Sequence, residues 1–202
     1  MLKKNLNYML VKIIKDVIAP FCTINDETAR QLADFVSLET LKVNSFLEKE
    51  GELVKSEFIV LEGVVRAFVI NHKGDEVTVN FFNSGDAVSP TLLRSYNRKC
   101  FLNLQIVTPE AKVLVFDSQY IAENMQQNRD IQNFGNRVLM QDAFYKAERE
   151  IVLLKYSGKE KLDWFRKRFA ALENIVPHYY IASYLGLTPT SLSRLRVDQT
   201  KK

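Results

Sequence analysis

FIVLEGVVRAFVINHKGDEVTVNFFNSGD, residues 58–86, is the stretch on which the reading of this chain turns. It holds three strand-like runs, FIVLEG, VVRAFVI and EVTVNFF, each closed by turn residues. In the last run Val77, Val79 and Phe81 alternate with polar neighbours, the period of a half-buried strand. Asn71-His72-Lys73-Gly74-Asp75 has the composition of a hairpin turn. Working outward, Gly51, Gly63, Gly74 and Gly85 punctuate the region at spacings of 12, 11 and 11 residues, and FLNLQIV and KVLVFD follow as two further runs. Short strands at this spacing predict an all-β sandwich, roll or barrel.

The flanks read as helix. Residues 2–18 form an amphipathic pattern, and Asn25-Asp26-Glu27 supplies the short acidic side chains of a helix start, predicting a second helix to about Val36. From Ser118 to Leu154 there is no proline and one glycine, which predicts a single long helix. Met140, Phe144, Ala147, Ile151 and Leu154 are spaced 4, 3, 4 and 3 on it, an a/d seam suited to a parallel dimer helix; packing onto its own domain is the alternative. Tyr156-Ser157-Gly158 reads as a hinge. Leu162, Phe165, Phe169 and Leu172 then mark another amphipathic helix, ending before Pro177.

Composition narrows the function. The 202 residues suffice for one large or two modest domains. No run is apolar enough to span a membrane, and the basic, alternating N-terminus lacks the features of a signal peptide, so a cytoplasmic protein is expected. Cys22 and Cys100 form no paired motif, and His72 and His178 are too few for a metal cluster, so no metal site and no enzyme of the cupin metalloenzyme type is expected. From Lys155 onward ten Lys/Arg face four Asp/Glu, while the preceding residues hold eighteen against twenty. A basic end on a mildly acidic body suits nucleic acid.

The basic end contains HYYIASYLGLTPTSLSRLR, His178–Arg196. Two short helices are expected to cross at Ala182, with Gly186 in the tight turn and Thr188-Pro189 starting the second. Ile181, Leu185, Leu187, Leu192 and Leu195 would face inward. Thr188, Pro189, Thr190, Ser191, Ser193, Arg194 and Arg196 would face outward, with Tyr179 on the first helix. Short hydroxyls at a helix start and an arginine one turn later suit phosphates and base edges in the major groove of double-stranded DNA. Lys159, Lys161, Arg166, Lys167, Arg168 and Lys201-Lys202 are candidate backbone contacts.

In this order, FLEKEGELVKSEFIVLEGVVRAFVINHKGDEVTVNFFNSGDAV and IASYLGLTPTSLSRLR resemble the catabolite-activator (Crp/Fnr) family of bacterial transcription regulators over nearly the whole chain. The resemblance implies an α+β chain: a double-stranded β-roll (jelly-roll) of cyclic-nucleotide-binding type with flanking helices over 1–120, a dimerisation helix and hinge over 121–156, and a helix-turn-helix domain over 157–202. It implies an effector-gated homodimer on a palindromic operator, with RNA polymerase as a further partner. An effector pocket would involve Gly85, Asp86, Val88, Ser89, Pro90, Arg98, Lys99, Cys100 and Phe101.

Two departures qualify the resemblance. Ser89-Pro90 and Lys99-Cys100-Phe101 stand where members that bind cyclic nucleotides carry Gly-Glu and Arg-Ser or Arg-Thr, so cyclic nucleotide is not expected as the ligand. Arg94, Arg98 and Lys99 read as an exposed basic loop. A wing after the second helix of the motif, which many family members carry, is not expected here. The alternative function is a sensing or protein-interaction module that does not bind DNA.

Overall fold

The computed structural model describes the backbone of residues 2–200 and the side chains of residues 7–197. Helices α1 (Leu2–Ile18) and α2 (Asp26–Ala33) open the chain. Strands β1 (Val36–Lys42), β2 (Phe46–Glu48), β3 (Ser56–Glu62), β4 (Val65–Ile70) and β5 (Glu76–Phe82) follow. A short helix α3 (Thr91–Arg94) leads to β6 (Ser95–Tyr96), β7 (Lys99–Cys100), β8 (Asn103–Ile106) and β9 (Glu110–Asp117). Helices α4 (Ser118–Gln127), α5 (Arg129–Lys155), α6 (Gly158–Arg168), α7 (His178–Tyr184) and α8 (Pro189–Thr200) complete it, with one turn of 3-10 helix at Leu172–Asn174.

The strands form two antiparallel sheets, in the order β1-β9-β3 and β2-β8-β4-β5, with β6 and β7 as a separate hairpin. The sheets face each other across a core of Phe58, Val60, Val65, Ala67, Phe82, Leu104 and Ile106. The first sheet turns Ile59, Leu114 and Phe116 outward, onto Ile14, Ile18, Leu32, Ile131, Phe134 and Val138 of the surrounding helices. The second sheet lies under α6, α7 and α8, where Val64 and Phe81 join Leu162, Phe165, Phe169, Ile181 and Tyr184. Strands β3, β4, β8 and β9 are therefore largely buried on both faces. That is why FIVLEG and KVLVFD read as nearly unbroken apolar runs.

Four expectations need correction. The helix expected to run through Leu172 ends at Arg168, and Leu172 opens the 3-10 turn after Ala171, whose φ is +68°. Strands β1 and β2 are absent from the sequence reading; β1 is an edge strand whose residues are mostly exposed, so its apolar signal is weak. The second helix stops at Ala33 rather than near Val36, which already pairs with Phe116. The long helix is two. Asn128 ends α4 and starts α5, its Oδ1 accepting from the Asp130 and Ile131 amides at 2.9 and 3.3 Å. The break expected at Tyr156-Ser157-Gly158 is present: Ser157 and Glu160 form a capping box that begins α6.

The hairpin expected at residues 71–75 is also present. Asn71 Oδ1 accepts from the Lys73 and Asp75 amides at 2.8 and 3.0 Å, and Gly74 takes φ +87°. Gly63 has the same left-handed backbone, φ +85°, but a crowded surrounding: an added Cβ would lie 2.5 Å from the Glu110 carbonyl oxygen and 2.8 Å from Ala111 Cα. At Gly74 the same carbon would meet nothing within 4 Å. Gly74→Ala should therefore cost only the backbone penalty, about 1–2 kcal/mol. Gly63→Ala should exceed about 4 kcal/mol, because backbone of β9 cannot move aside. Urea unfolding of the two variants measures the difference.

Candidate functional site

Helices α7 and α8 form a helix-turn-helix. Gly186 takes φ +63°, and the Leu187 amide reaches back to the Ala182 carbonyl at 2.9 Å. Ala182, Ile181, Leu185 and Leu192 are buried at the crossing, as their spacing requires. Thr188 caps α8, its Oγ1 accepting from the Ser191 amide at 3.1 Å.

This leaves Thr188, Pro189, Thr190, Ser191, Ser193 and Arg194 exposed along one side of α8. Tyr179 is exposed on α7 and lies against Tyr180, ring centroids 4.3 Å apart. Arg196 is placed differently from the others. Its Nε donates to Glu173 at 2.5 Å and its Nη1 lies 2.9 Å from His178 Nδ1. Arg166 donates to the other side of the same carboxylate, Nε to Oε2 at 2.6 Å. Arg196 thus ties α8 to the segment before α7, instead of standing free beside Arg194.

Among the candidate backbone contacts, Lys159 and Lys167 are exposed and Lys161 is half-buried. Arg168 lies over the Tyr145 ring at 3.5 Å. Lys201 and Lys202 fall outside the described residues.

The helical head is not a free appendage. Ser183 Oγ accepts from the Thr78 amide at 2.9 Å, joining α7 to β5. Arg149 of α5 donates to the Tyr184 carbonyl at 2.8 Å and to the Thr78 carbonyl at 3.3 Å. Arg66 of β4 is fully buried between the Phe68 and Tyr180 rings, 4.4 and 3.6 Å from their centroids. It donates to Thr78 Oγ1 at 2.9 Å and pairs with Glu76 at 2.5 Å. Burial raises the Tyr184 hydroxyl to about 12. Burial and the bond to Tyr179 do the same for Tyr180, again to about 12.

In the roll, the loop 83–90 and helix α3 are tied down by their own residues. Asp86 accepts from the Asn83 amide at 2.8 Å, while Gly85 and Asp86 bond through backbone to Val60. Ser89 Oγ donates to the buried Asp142 of α5 at 2.7 Å. Cys100 is buried with its thiol on the Leu102 carbonyl, and burial raises its pKa. Lys99 and Phe101 point to the surface.

Arg94, expected in an exposed loop, is instead fully buried. Nε and Nη2 grip Glu48 at 3.0 and 3.1 Å, Nη1 reaches Glu57 and the Ser89 carbonyl, and Nη2 also donates to the Ser56 carbonyl. All five N–H groups of the guanidinium are used. Burial works against its charge, and Glu48 and Glu57 more than restore it. Val88, Pro90 and Arg98, by contrast, border an open cavity between the roll, α4 and α5. Among the described residues no His/Cys/Asp/Glu group is arranged to hold a metal ion.

The sequence gives no role to Arg66, Glu48, Glu57, Asp142 or Ser183, and places Arg94 at the surface. Arg66 alone left a trace, as a charge set among apolar residues on both sides in VVRAFVI.

A β-roll, a long helix and a helix-turn-helix in this order are the architecture of Crp/Fnr-type regulators. The fold matches FixK2 from Bradyrhizobium japonicum at a TM-score of 0.70, with 15% identity over 82% of this chain and 85% of that one. It matches the c-di-GMP-responsive global regulator CLP of Xanthomonas campestris at 0.66, with 10% identity over 88% and 92%. In sequence, the chain is 23% identical over 197 residues to the fumarate and nitrate reduction regulatory protein of Salmonella typhi, covering 90% of this chain and 76% of that protein. No protein-family model matches the chain.

Glu173 is the anchor of α8, and pH tests it. The hydrogen bond from Arg166 first, and that from Arg196 next, hold its carboxyl below the usual glutamate range. A depressed carboxylate stabilises the fold fully above its unfolded value, about 4.3, and loses that contribution as pH falls through the folded value. Glu173→Gln should be less stable than the parent at pH 7 and should lack this component of acid unfolding. Fluorescence of Trp164, stacked on Tyr184 in the head, reads the transition directly.

Proposed function

We propose that the chain is a homodimeric, sequence-specific DNA-binding transcription regulator rather than an enzyme. The observation that carries this reading is the division of α8. Its inner side is buried at the crossing with α7, while Thr190, Ser191 and Arg194 face solvent and the Arg194 guanidinium meets no hydrogen-bond or ion partner among the described residues. A free arginine one turn into a helix that begins with short hydroxyls suits bidentate contact with guanine O6 and N7. Lys159 and Lys167 supply positive charge for the flanking phosphates.

The dimer is drawn through α5. Met140, Phe144, Ile151 and Leu154 are 65, 63, 56 and 81% exposed, and Ala147 between them is exposed as well. Four large apolar side chains in one row along a helix are a costly surface for a monomer, and a second copy of the same helix covers them at heptad spacing. Two heads related by the dimer axis would read a palindromic operator in successive major grooves.

The roll serves as the sensor in this reading, and its ligand is not a cyclic nucleotide. Arg94 has no donor left for a cyclic phosphate, and Ser89 is engaged with Asp142. No helix among the described residues is long and apolar enough to cross a membrane.

Genome-wide footprinting with the purified protein should recover a two-fold-symmetric site. On that site Arg194→Ala should lose about 1–3 kcal/mol of binding and relax the preference at one base pair in each half. An unchanged footprint would move recognition away from α8. Phe144→Lys places a charge in the seam and should sediment as a monomer at concentrations where the parent is a dimer; a persisting dimer would put the interface elsewhere.

A further inference from the structure

Between the roll and helices α4 and α5 lies a cavity of about 440 Å³. Its walls are Phe58 and Phe116 from the first sheet, Ile121 and Met125 from α4, and Phe134 and Val138 from α5. This volume falls within the roughly 300–1,000 Å³ of small-molecule sites, and the predominantly apolar lining is typical of them. The cavity is distinct from the loop interior around Ser89 and Arg94, which the protein's own ion pairs and hydrogen bonds fill.

The polar side chains on its lining are Glu57, Thr91, Arg98, Ser118 and Gln119. The Glu57 carboxylate is committed to Arg94 and to the Thr91 amide. Thr91 Oγ1 is buried without a hydrogen-bond partner. Arg98 also borders the cavity, and its guanidinium has no hydrogen-bond or ion partner among the described residues. Gln119 is committed to Glu123, so the uncommitted groups are one cation, Arg98, and the hydroxyls of Thr91 and Ser118, set against an apolar chamber. A ligand that matches them has an apolar body and a single anionic head. A cyclic nucleotide would instead bring a ribose, a base edge and a phosphate to walls of phenylalanine, isoleucine and valine, with too few donors to replace the lost water.

We propose that this cavity is an effector site for an apolar monocarboxylate, with its body among Phe58, Phe116 and Phe134 and its carboxylate on Arg98 and Thr91. The inference rests on the reading of the roll as a sensor and supplies the ligand class for it. Because Phe134 and Val138 belong to α5, an occupied cavity bears on the helix that carries the exposed seam.

Calorimetry on the full chain tests it, with decanoate below its micellar concentration as the probe and 1-decanol and cyclic AMP as comparisons. Decanoate should bind saturably, one per chain, at least ten-fold more tightly than 1-decanol, and cyclic AMP should not displace it. Arg98→Gln changes an exposed side chain and should fold normally; it should weaken decanoate at least ten-fold and leave 1-decanol unchanged. Val138→Trp should abolish binding of both. No saturable heat with decanoate, or equal decanoate affinity in the parent and Arg98→Gln, would overturn the proposal. A footprint on DNA without decanoate binding would sink the site and spare the regulator. Decanoate binding without any footprint would do the reverse.

Discussion

Arg66 is the contact on which the arrangement of this molecule depends. A buried guanidinium is costly to leave uncompensated, and here Glu76, Thr78 and the two rings compensate it, while Nη2 is buried without a hydrogen-bond partner. Two of these partners are on the neighbouring strand of the roll, and one ring, Tyr180, belongs to the helical head. Around this point the second sheet and the head share one apolar cluster, in which Phe81 meets Phe165, Phe169 and Tyr184 at 5.5–6.2 Å between ring centroids. The division expected from the sequence, a sensor at one end and a reader at the other, is thus joined by a core that belongs to both. Moving the head would expose that core and strip Arg66 of one of its rings.

How far the sequence disclosed this depends on the range of the forces involved. Gly63, Gly74 and Gly186 were readable because a left-handed backbone position is a local demand, met by glycine wherever the fold requires it. The helix-turn-helix was readable for the same reason: crossing, turn and cap all lie within a few residues. Asn128 was not. An asparagine in a helical pattern is unremarkable, and what fixes it here is Thr28, a hundred residues away, whose Oγ1 accepts from Asn128 Nδ2 at 3.1 Å. Arg94 shows the same limit more sharply. Its sequence neighbours, TLLRSYNRK, describe a polar loop, and only the approach of Glu48 and Glu57 from β2 and β3 makes its burial possible. Sequence periodicity located the exposed seam of α5 but gave no sign of the cavity beside it, which is space left between elements.

Placing Arg94 inside the roll has a consequence for what the roll can bind. An anion site in a protein interior needs donors held ready and unspent. Arg94 spends all of its donors on two carboxylates and two carbonyls, and Ser89 spends its hydroxyl on Asp142. The loop is thereby held by bonds from the chain itself. It is tied to α5 through Ser89–Asp142, and helix α3 through Lys146 Nζ, which donates to the Leu93 carbonyl at 3.4 Å. The open cavity beside this loop lies one to two helical turns earlier along α5, at Phe134 and Val138.

Helix α5 touches every part in turn. Ile131, Phe134 and Val138 pack on the first sheet and the N-terminal helices, Asp142 holds the loop, and Arg149 bonds both the head and strand β5. The opposite side carries the exposed seam from Met140 to Leu154. A packed helix moves as a unit, because sliding one turn past its neighbours would break several buried contacts together. A ligand against Phe134 and Val138 therefore cannot shift its end of α5 without stressing the Asp142 and Arg149 bonds further along. Those bonds lead to Ser89 and to the Tyr184 carbonyl at the end of α7, next to the turn that sets α8. One helix with polar anchors thus runs from the cavity to the base of the helix-turn-helix, with the exposed seam on its other side.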